Sequence, residues 1–111
     1  MSKILDLKSL AIISKNLKKK GKKIVLCHGV FDLLHVGHIK HFKKAKKMGD
    51  KLIVSITPDR FVNKGPNRPV FNQILRSEAI SSLEDVDYVG VNETSTAVNV
   101  IRLIKPDIYC K

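Results

Sequence analysis

An apolar run, Lys23-Ile24-Val25-Leu26-Cys27, passes through Gly29-Val30-Phe31-Asp32-Leu33-Leu34-His35-Val36-Gly37-His38 into a lysine-rich amphipathic stretch that ends near Met48. Consecutive apolar positions of this kind suit a strand buried on both faces, and the stretch after it carries a helical period. A buried strand that turns directly into a helix is half of a parallel-sheet unit, so this segment narrows the fold before anything else is read. The start of the helix leaves backbone N–H groups unpaired, and with the positive end of the helix dipole they favour a phosphate. Gly29 and Gly37 are expected to remove side-chain bulk where a nucleotide approaches the backbone. Residues three apart on a helix share a face, so His35 and His38 are expected to aim ring N–H groups at oxygens of a single phosphoryl group. In-line displacement at phosphorus concentrates charge on those oxygens. By the measure of oxyanion donors, each donor fixed in advance is worth about 10²- to 10³-fold in rate.

A metal centre is the rival use of these histidines. His35, His38 and His41 recur every three residues, but each such step falls about 60° short of a full circle, so His41 drifts off the face of the first two. No nearby Cys or Glu completes a zinc set, and no metal ligands are expected from the protein. His28, one residue before Gly29, either touches a ligand or is buried at the strand end.

The remaining chain alternates helix and strand. A first helix is expected from about Leu7 to Lys20, with Leu10, Ile13 and Leu17 on one face and Gly21 as its stop. Strands are expected at 23–28, 51–56, 86–91 and 107–110. Two later helices are expected near 72–83, with Leu75, Ala79, Ile80 and Leu83 inward, and near 95–105, opened by Thr94 or Ser95. The fold class is therefore α/β, an open parallel sheet of Rossmann type with helices on both faces. Residues 1–111 read as a single domain, with 1–22 a helical lead-in and 23–111 the α/β core. At 111 residues and 43% hydrophobic content there is material for one core. Ligands in such sheets bind beyond the carboxyl ends of the strands, where the Gly29–His38 segment falls.

A net charge of +11 raises the alternative of a basic nucleic-acid-binding domain. The lysines, however, fall mainly on helical faces. Lys18 to Lys20, Lys22 and Lys23 end the first helix, while Lys40, Lys43, Lys44, Lys46 and Lys47 alternate with Val36, Ile39, Phe42, Ala45 and Met48. Four Phe and two Tyr make no alternating stacking pattern of the RNA-reading kind, so neither nucleic acid nor membrane is the expected partner. Two cysteines, Cys27 and Cys110, form no disulfide framework and point to a reducing, cytoplasmic setting. No run approaches the roughly 20 apolar residues of a membrane span.

The irregular span Thr57 to Val70 carries Asp59, Arg60, Lys64 and Arg68 among turn formers, a basic loop at the same sheet edge as the histidines. Such a loop suits closure over a triphosphate. Asp32 is expected to cap the turn or to hold a histidine, and Asp59 to order the loop.

Gly29-Val30-Phe31-Asp32-Leu33-Leu34-His35-Val36-Gly37-His38 resembles the Gly-x-Phe-Asp-Leu-Leu-His-x-Gly-His signature of the cytidylyltransferase-like nucleotidyltransferases. Lys20 to Val25, the loop Lys64-Gly65-Pro66-Asn67-Arg68-Pro69-Val70, Arg76, and Leu83 to Val89 are similar in order and spacing to the adenylyltransferase domains of bacterial ADP-heptose synthases. The resemblance covers nearly the whole chain and implies the HxGH nucleotidyltransferase fold. It implies nucleotide contacts at Gly29, Val30, Phe31, His35, Gly37, His38, Lys64 and Arg76, with His35, His38 and Lys64 catalytic. It further implies transfer from ATP, or less readily CTP, to a sugar or polyol phosphate for surface polysaccharide precursors, with magnesium brought in by the triphosphate and a homodimer as the assembly. Val30 departs from the Cys or Thr of the relatives, which removes a side-chain role and leaves backbone contacts. Relatives continue beyond Lys111 into a Gly-rich loop, a further strand and a Ser/Thr-rich segment, so a missing C-terminal part is expected. A glycerol-3-phosphate cytidylyltransferase, an FAD synthetase and a non-catalytic nucleotide sensor remain as alternatives.

Overall fold

The computed structural model describes residues 3–62 and 65–110. Helix α1 (Leu7–Lys19) begins where the Asp6 carboxylate accepts the Ser9 N–H at 2.7 Å, and that bond holds the Asp6 carboxyl below its usual range. It ends at Gly21, whose φ of 79° admits the reversal, while the Lys22 N–H returns to the Leu17 carbonyl. Leu7, Leu10 and Ser14 are its buried positions; Ile13 and Leu17 of the expected face are half-buried.

Strand β1 (Ile24–Gly29) is central. It pairs in parallel with β2 (Lys51–Ile56) on one side and β4 (Ile108–Cys110) on the other, and β3 (Tyr88–Val91) lies outside β2. Strand order β3-β2-β1-β4 confirms the α/β parallel sheet expected from the alternation. Side chains alternate across it. Val25, Cys27, Leu52 and Val54 face a core closed by Phe42, Ala45 and Ile80, from helices α2 (Val36–Lys46) and α3 (Gln73–Ser81). Ile24, Leu26 and Ile53 face a second core closed by Leu7 and Leu10 of α1 and by Val100 and Ile104 of α4 (Val98–Ile104). Gly90 makes the second interface possible, because a Cβ there would stand 2.4 Å from Leu10 Cδ1.

Strands β3 and β4 begin later than expected, at 88 and 108. Asp87 and Asp107 stand at their heads, and each carboxylate accepts the N–H of a neighbouring strand, from Leu52 and Ile24 respectively, at 2.8 Å. Asp50 does the same for the Lys23 N–H at 2.7 Å. Three aspartates thus satisfy the amino edge of the sheet and leave the carboxyl edge to the loops.

Helix α4 is shorter than expected and starts after Ala97 with no side-chain cap, so neither Thr94 nor Ser95 opens it. Asn92, buried at the end of β3, draws the chain into a turn instead: its amide donates to the Thr94 carbonyl at 3.2 Å and the Thr96 carbonyl at 2.6 Å. Helix α3 is rotated from the expected face. Arg76, Ser77 and Ile80 are buried, whereas Leu75 is 48% exposed and Ala79 also faces outward. On α2 only Phe42 and Ala45 are buried; Val36, its first residue, and Met48, two residues past its end, are exposed. Among the described residues no helix is long and apolar enough to cross a membrane.

Candidate functional site

Strand order reverses between β1 and β4, and the loop leaving β1 at Gly29 lies at that switch point. Loops following β1, β2 and β3 all emerge at this edge. Phe31 adopts a positive φ of 49° in the first of them, and its ring folds back over Gly29. A Cβ at residue 29 would lie 2.8 Å from that ring, so the glycine is needed for the packing of Phe31. The Phe31 ring meets Phe42 edge-on at 5.1 Å and stands perpendicular to His38 at 5.5 Å between centroids.

His35 is the N-cap of α2 and His38 its third residue, and the two form a reciprocal cap. The Gly37 N–H donates to Nδ1 of His35 at 3.0 Å, and the His35 N–H donates to Nδ1 of His38 at 3.3 Å. The rings lie 4.0 Å apart, tilted by 31°. A ring nitrogen that accepts an N–H carries no proton, so this cap places the proton of each neutral imidazole on Nε2. Gly37 is required by the same geometry, since a Cβ there would lie 2.7 Å from Cε1 of His35. Both glycines therefore make room for the site's own rings, where the sequence suggested room for a nucleotide.

A cavity of about 380 Å³ opens beside the pair, lined by Phe31, Asp32, Leu33, His35, His38 and Arg68. A second, of about 340 Å³ and mainly apolar, adjoins it across Phe31 and Asp32 and is walled by Leu34, Phe71, Leu75 and Arg76. Asp32 fastens the intervening loop: its carboxylate accepts the Val70 and Phe71 N–H groups, each at 2.8 Å, and Arg68 Nη1 at 3.4 Å. Burial pushes this carboxyl towards protonation, but the Phe71 and Val70 amides and Arg68 outweigh it, and it stays below its usual range. Asp32 thus holds a loop, and no bond to a histidine is formed by it.

Arg76 is 1% exposed. Its Nε donates to the Phe71 carbonyl at 3.0 Å, Nη1 to the Val30 carbonyl at 2.8 Å, and Nη2 to Asp59 at 2.7 Å. The guanidinium ties together the turn after β1, the short helical turn Asp59–Phe61 and the entry to α3. Val30 contributes its carbonyl to this tie. Lys64, expected to contact phosphate, lies outside the described residues. His28 is half-buried on the α1/α4 face, its Nδ1 2.7 Å from Ser55 Oγ, and burial lowers its pKa. His41 is turned away from the pair, with Nε2 3.8 Å from Cys27 Sγ. Burial, with Cys110 adding to it, pushes the Cys27 thiol up to about 12, which keeps it protonated at neutral pH. Among the described residues no group of three His, Cys, Asp or Glu side chains is arranged to hold a metal ion.

Sequence reasoning placed Arg68 in the basic loop at this edge but gave it no role of its own, and the structure makes it the arginine that lines the histidine cavity. Its signal was the surrounding turn, where Gly65 and Asn67 both take positive φ, at 105° and 63°.

A parallel sheet with paired imidazoles capping a helix at its switch point defines a Rossmann-like fold with a polar site at the carboxyl edge. The sequence profile described as cytidylyltransferase-like matches residues 26–111, and the chain belongs to that nucleotidyltransferase family. Bifunctional protein HldE of Nitratiruptor sp. is 46% identical over 110 residues, a match that covers 97% of this chain and 24% of that protein. Bifunctional protein HldE of Wolinella succinogenes is 42% identical over 111 residues, covering 98% and 23%. The chain therefore spans about a quarter of the length of these curated relatives. The crystal structure of the lipopolysaccharide core biosynthesis protein from Thermoplasma volcanium GSS1 is similar with a TM-score of 0.74 and 35% identity, over 80% of this chain and 73% of that one.

Proposed function

We propose that this chain transfers a nucleotidyl group from ATP, or less readily CTP, to a sugar or polyol phosphate, releasing pyrophosphate, in the synthesis of a lipopolysaccharide or other surface polysaccharide precursor. The observation that carries the proposal is the reciprocal cap, which commits both Nδ1 atoms to backbone N–H groups and fixes Nε2 as the proton-bearing nitrogen of each ring. The names of the similar proteins favour a sugar phosphate as acceptor, and the family favours the reaction.

In this step an oxygen of the acceptor's phosphate monoester forms a bond to the α-phosphorus while the bond to the bridging oxygen of pyrophosphate breaks. The monoester is already anionic at neutral pH, so neither a covalent enzyme intermediate nor a strong base is needed. What the protein supplies is alignment and compensation of charge on the phosphoryl oxygens. Nε2–H of His35 and of His38 are the donors on one side, and Lys64 is proposed as a cation on another. Gly29, Val30, Phe31 and Gly37 are proposed to border the nucleotide.

Among the described residues no cage of side chains for magnesium is formed, and Asp32 is occupied by three donors. The ion is proposed to arrive on the triphosphate, held by phosphates and water, and no step is derived through it. A cytoplasmic homodimer is the proposed form.

The test is pyrophosphate release from ATP and CTP across a panel of sugar phosphates, with wild type, His38→Ala and Lys64→Ala. Loss of one imidazole donor lowers turnover by about 10²- to 10³-fold. The accompanying loss of a cap bond costs about 1 kcal/mol of stability, which leaves the fold intact. Turnover retained by His38→Ala would remove the imidazole pair from the reaction, and ATP binding with no pyrophosphate from any acceptor would make the domain a nucleotide sensor.

A further inference from the structure

Two arginines stand at this site in opposite states. Arg76 is buried, with Nε, Nη1 and Nη2 all committed to protein acceptors within 3.0 Å, and these bonds hold its guanidinium in place between three loops. The Arg68 side chain is 39% exposed and lines the cavity of His35 and His38. Among the described residues its one partner is Asp32, met through Nη1 at 3.4 Å. A guanidinium has five N–H donors, and this one spends a single donor at the outer limit of hydrogen-bond distance.

Asp32 does not depend on that contact. The Val70 and Phe71 N–H groups satisfy both of its oxygens at 2.8 Å, so the loop stays latched when the guanidinium leaves. The Asp32 carboxylate is 8% exposed and already holds two amides, and it meets the 39%-exposed guanidinium through one nitrogen at 3.4 Å, whereas guanidinium and phosphate match in geometry and bond through two parallel N–H groups. A phosphate entering the histidine cavity therefore outcompetes Asp32 for Arg68.

Building on the nucleotidyl-transfer reading above, we propose that Arg68 is a substrate-binding residue that rests on Asp32 and moves to the phosphate oxygens of a ligand in the cavity of His35 and His38. The phosphate belongs either to the triphosphate or to the acceptor, and the two are separable by experiment. Loss of the charge-assisted contact weakens binding by about 10- to 100-fold.

The experiment compares wild type with Arg68→Ala in three measurements: the Kd for ATP alone, the KM for the acceptor phosphate, and hydrogen exchange at the Val70 and Phe71 amides. The expected result is a tenfold or greater rise in one of the two affinity constants, which names the source of the phosphate, with both amides still protected. Unchanged affinities overturn the proposal, and so does deprotection of the amides, which would make Arg68 a loop prop. The preceding reading fails separately, when wild type binds ATP but releases no pyrophosphate. In that case titration Kd values for ATP and for the acceptor phosphate replace the KM and decide the role of Arg68.

Discussion

Replacing Arg76 by Met keeps the aliphatic stem and removes the guanidinium. In the structure the change strips donors from the Val30 and Phe71 carbonyls and removes the buried partner of Asp59. Removing one member of a buried ion pair costs about 3–5 kcal/mol when the survivor is left without solvent. Here the Asp59 side chain is 39% exposed and recovers water, which discounts the charge portion, while two carbonyls lose partners at about 1 kcal/mol each. The sum is about 2–4 kcal/mol, which for a domain of this size lowers Tm by roughly 10–15 °C. The comparison variant is Arg60→Ala, whose exposed bond to the Glu93 carbonyl leaves it within about 0.5 kcal/mol of wild type. Thermal melting and ATP titration on the same samples decide the matter. An Arg76→Met protein that melts within about 3 °C of wild type, yet has lost ATP affinity, would show that the guanidinium serves the ligand and that its three protein bonds are incidental.

Two further outcomes follow from the same geometry. Gly37→Ala places a methyl against the His35 ring, forces the ring from its cap and lowers turnover by about tenfold or more, while stability falls by about 1 kcal/mol; equal turnover by the variant would show that the ring position is not required. His28, whose pKa burial lowers, is neutral in the fold, so its contribution to stability is complete above its unfolded value near 6.5 and declines as pH falls from there towards the lower folded value. The urea midpoint of wild type should therefore drop between pH 7.5 and 5.5 by more than that of His28→Gln, and parallel curves would refute the assignment.

What could be read from the residues alone was the part that repeats along the chain. Apolar runs such as Ile24–Cys27 and Leu52–Val54 are short and rich in β-branched residues, which favours a strand buried on both faces over a buried helix. The histidine turn was legible for the same reason, as a glycine-bordered junction of strand and helix. Helix α3 misled because Arg76 counts as polar in any periodic pattern, yet three acceptors on separate loops make its burial favourable. With Arg76, Ser77 and Ile80 buried, Leu75 and Ala79 are left to line the second cavity. Thr94 and Ser95 looked like a helix cap until Asn92, buried two residues earlier, drew the local carbonyls to itself. Contacts between segments decided the first of these cases, and a competing local turn decided the second.

The cap of α2 also changes how an anion is met at this helix. The sequence suggested that the first amides would bind phosphate directly. In the fold the Gly37 N–H goes to the His35 ring and the His38 N–H to the His35 carbonyl at 3.0 Å, so these two donors are already spent. The imidazole stands between amide and cavity: Nδ1 takes the backbone N–H, and Nε2 is left on the far side of the ring. An amide bonded to Nδ1 withdraws electron density from the ring and strengthens its Nε2–H as a donor, so the positive end of the helix acts one ring further out than the backbone reaches. The bond to Gly37 leaves no place for a proton on Nδ1, so the cap selects the Nε2–H tautomer. The same bond that starts the helix therefore holds the His35 ring in the orientation that its proposed role as a phosphoryl donor requires, so under that proposal folding and function place one demand on a single residue.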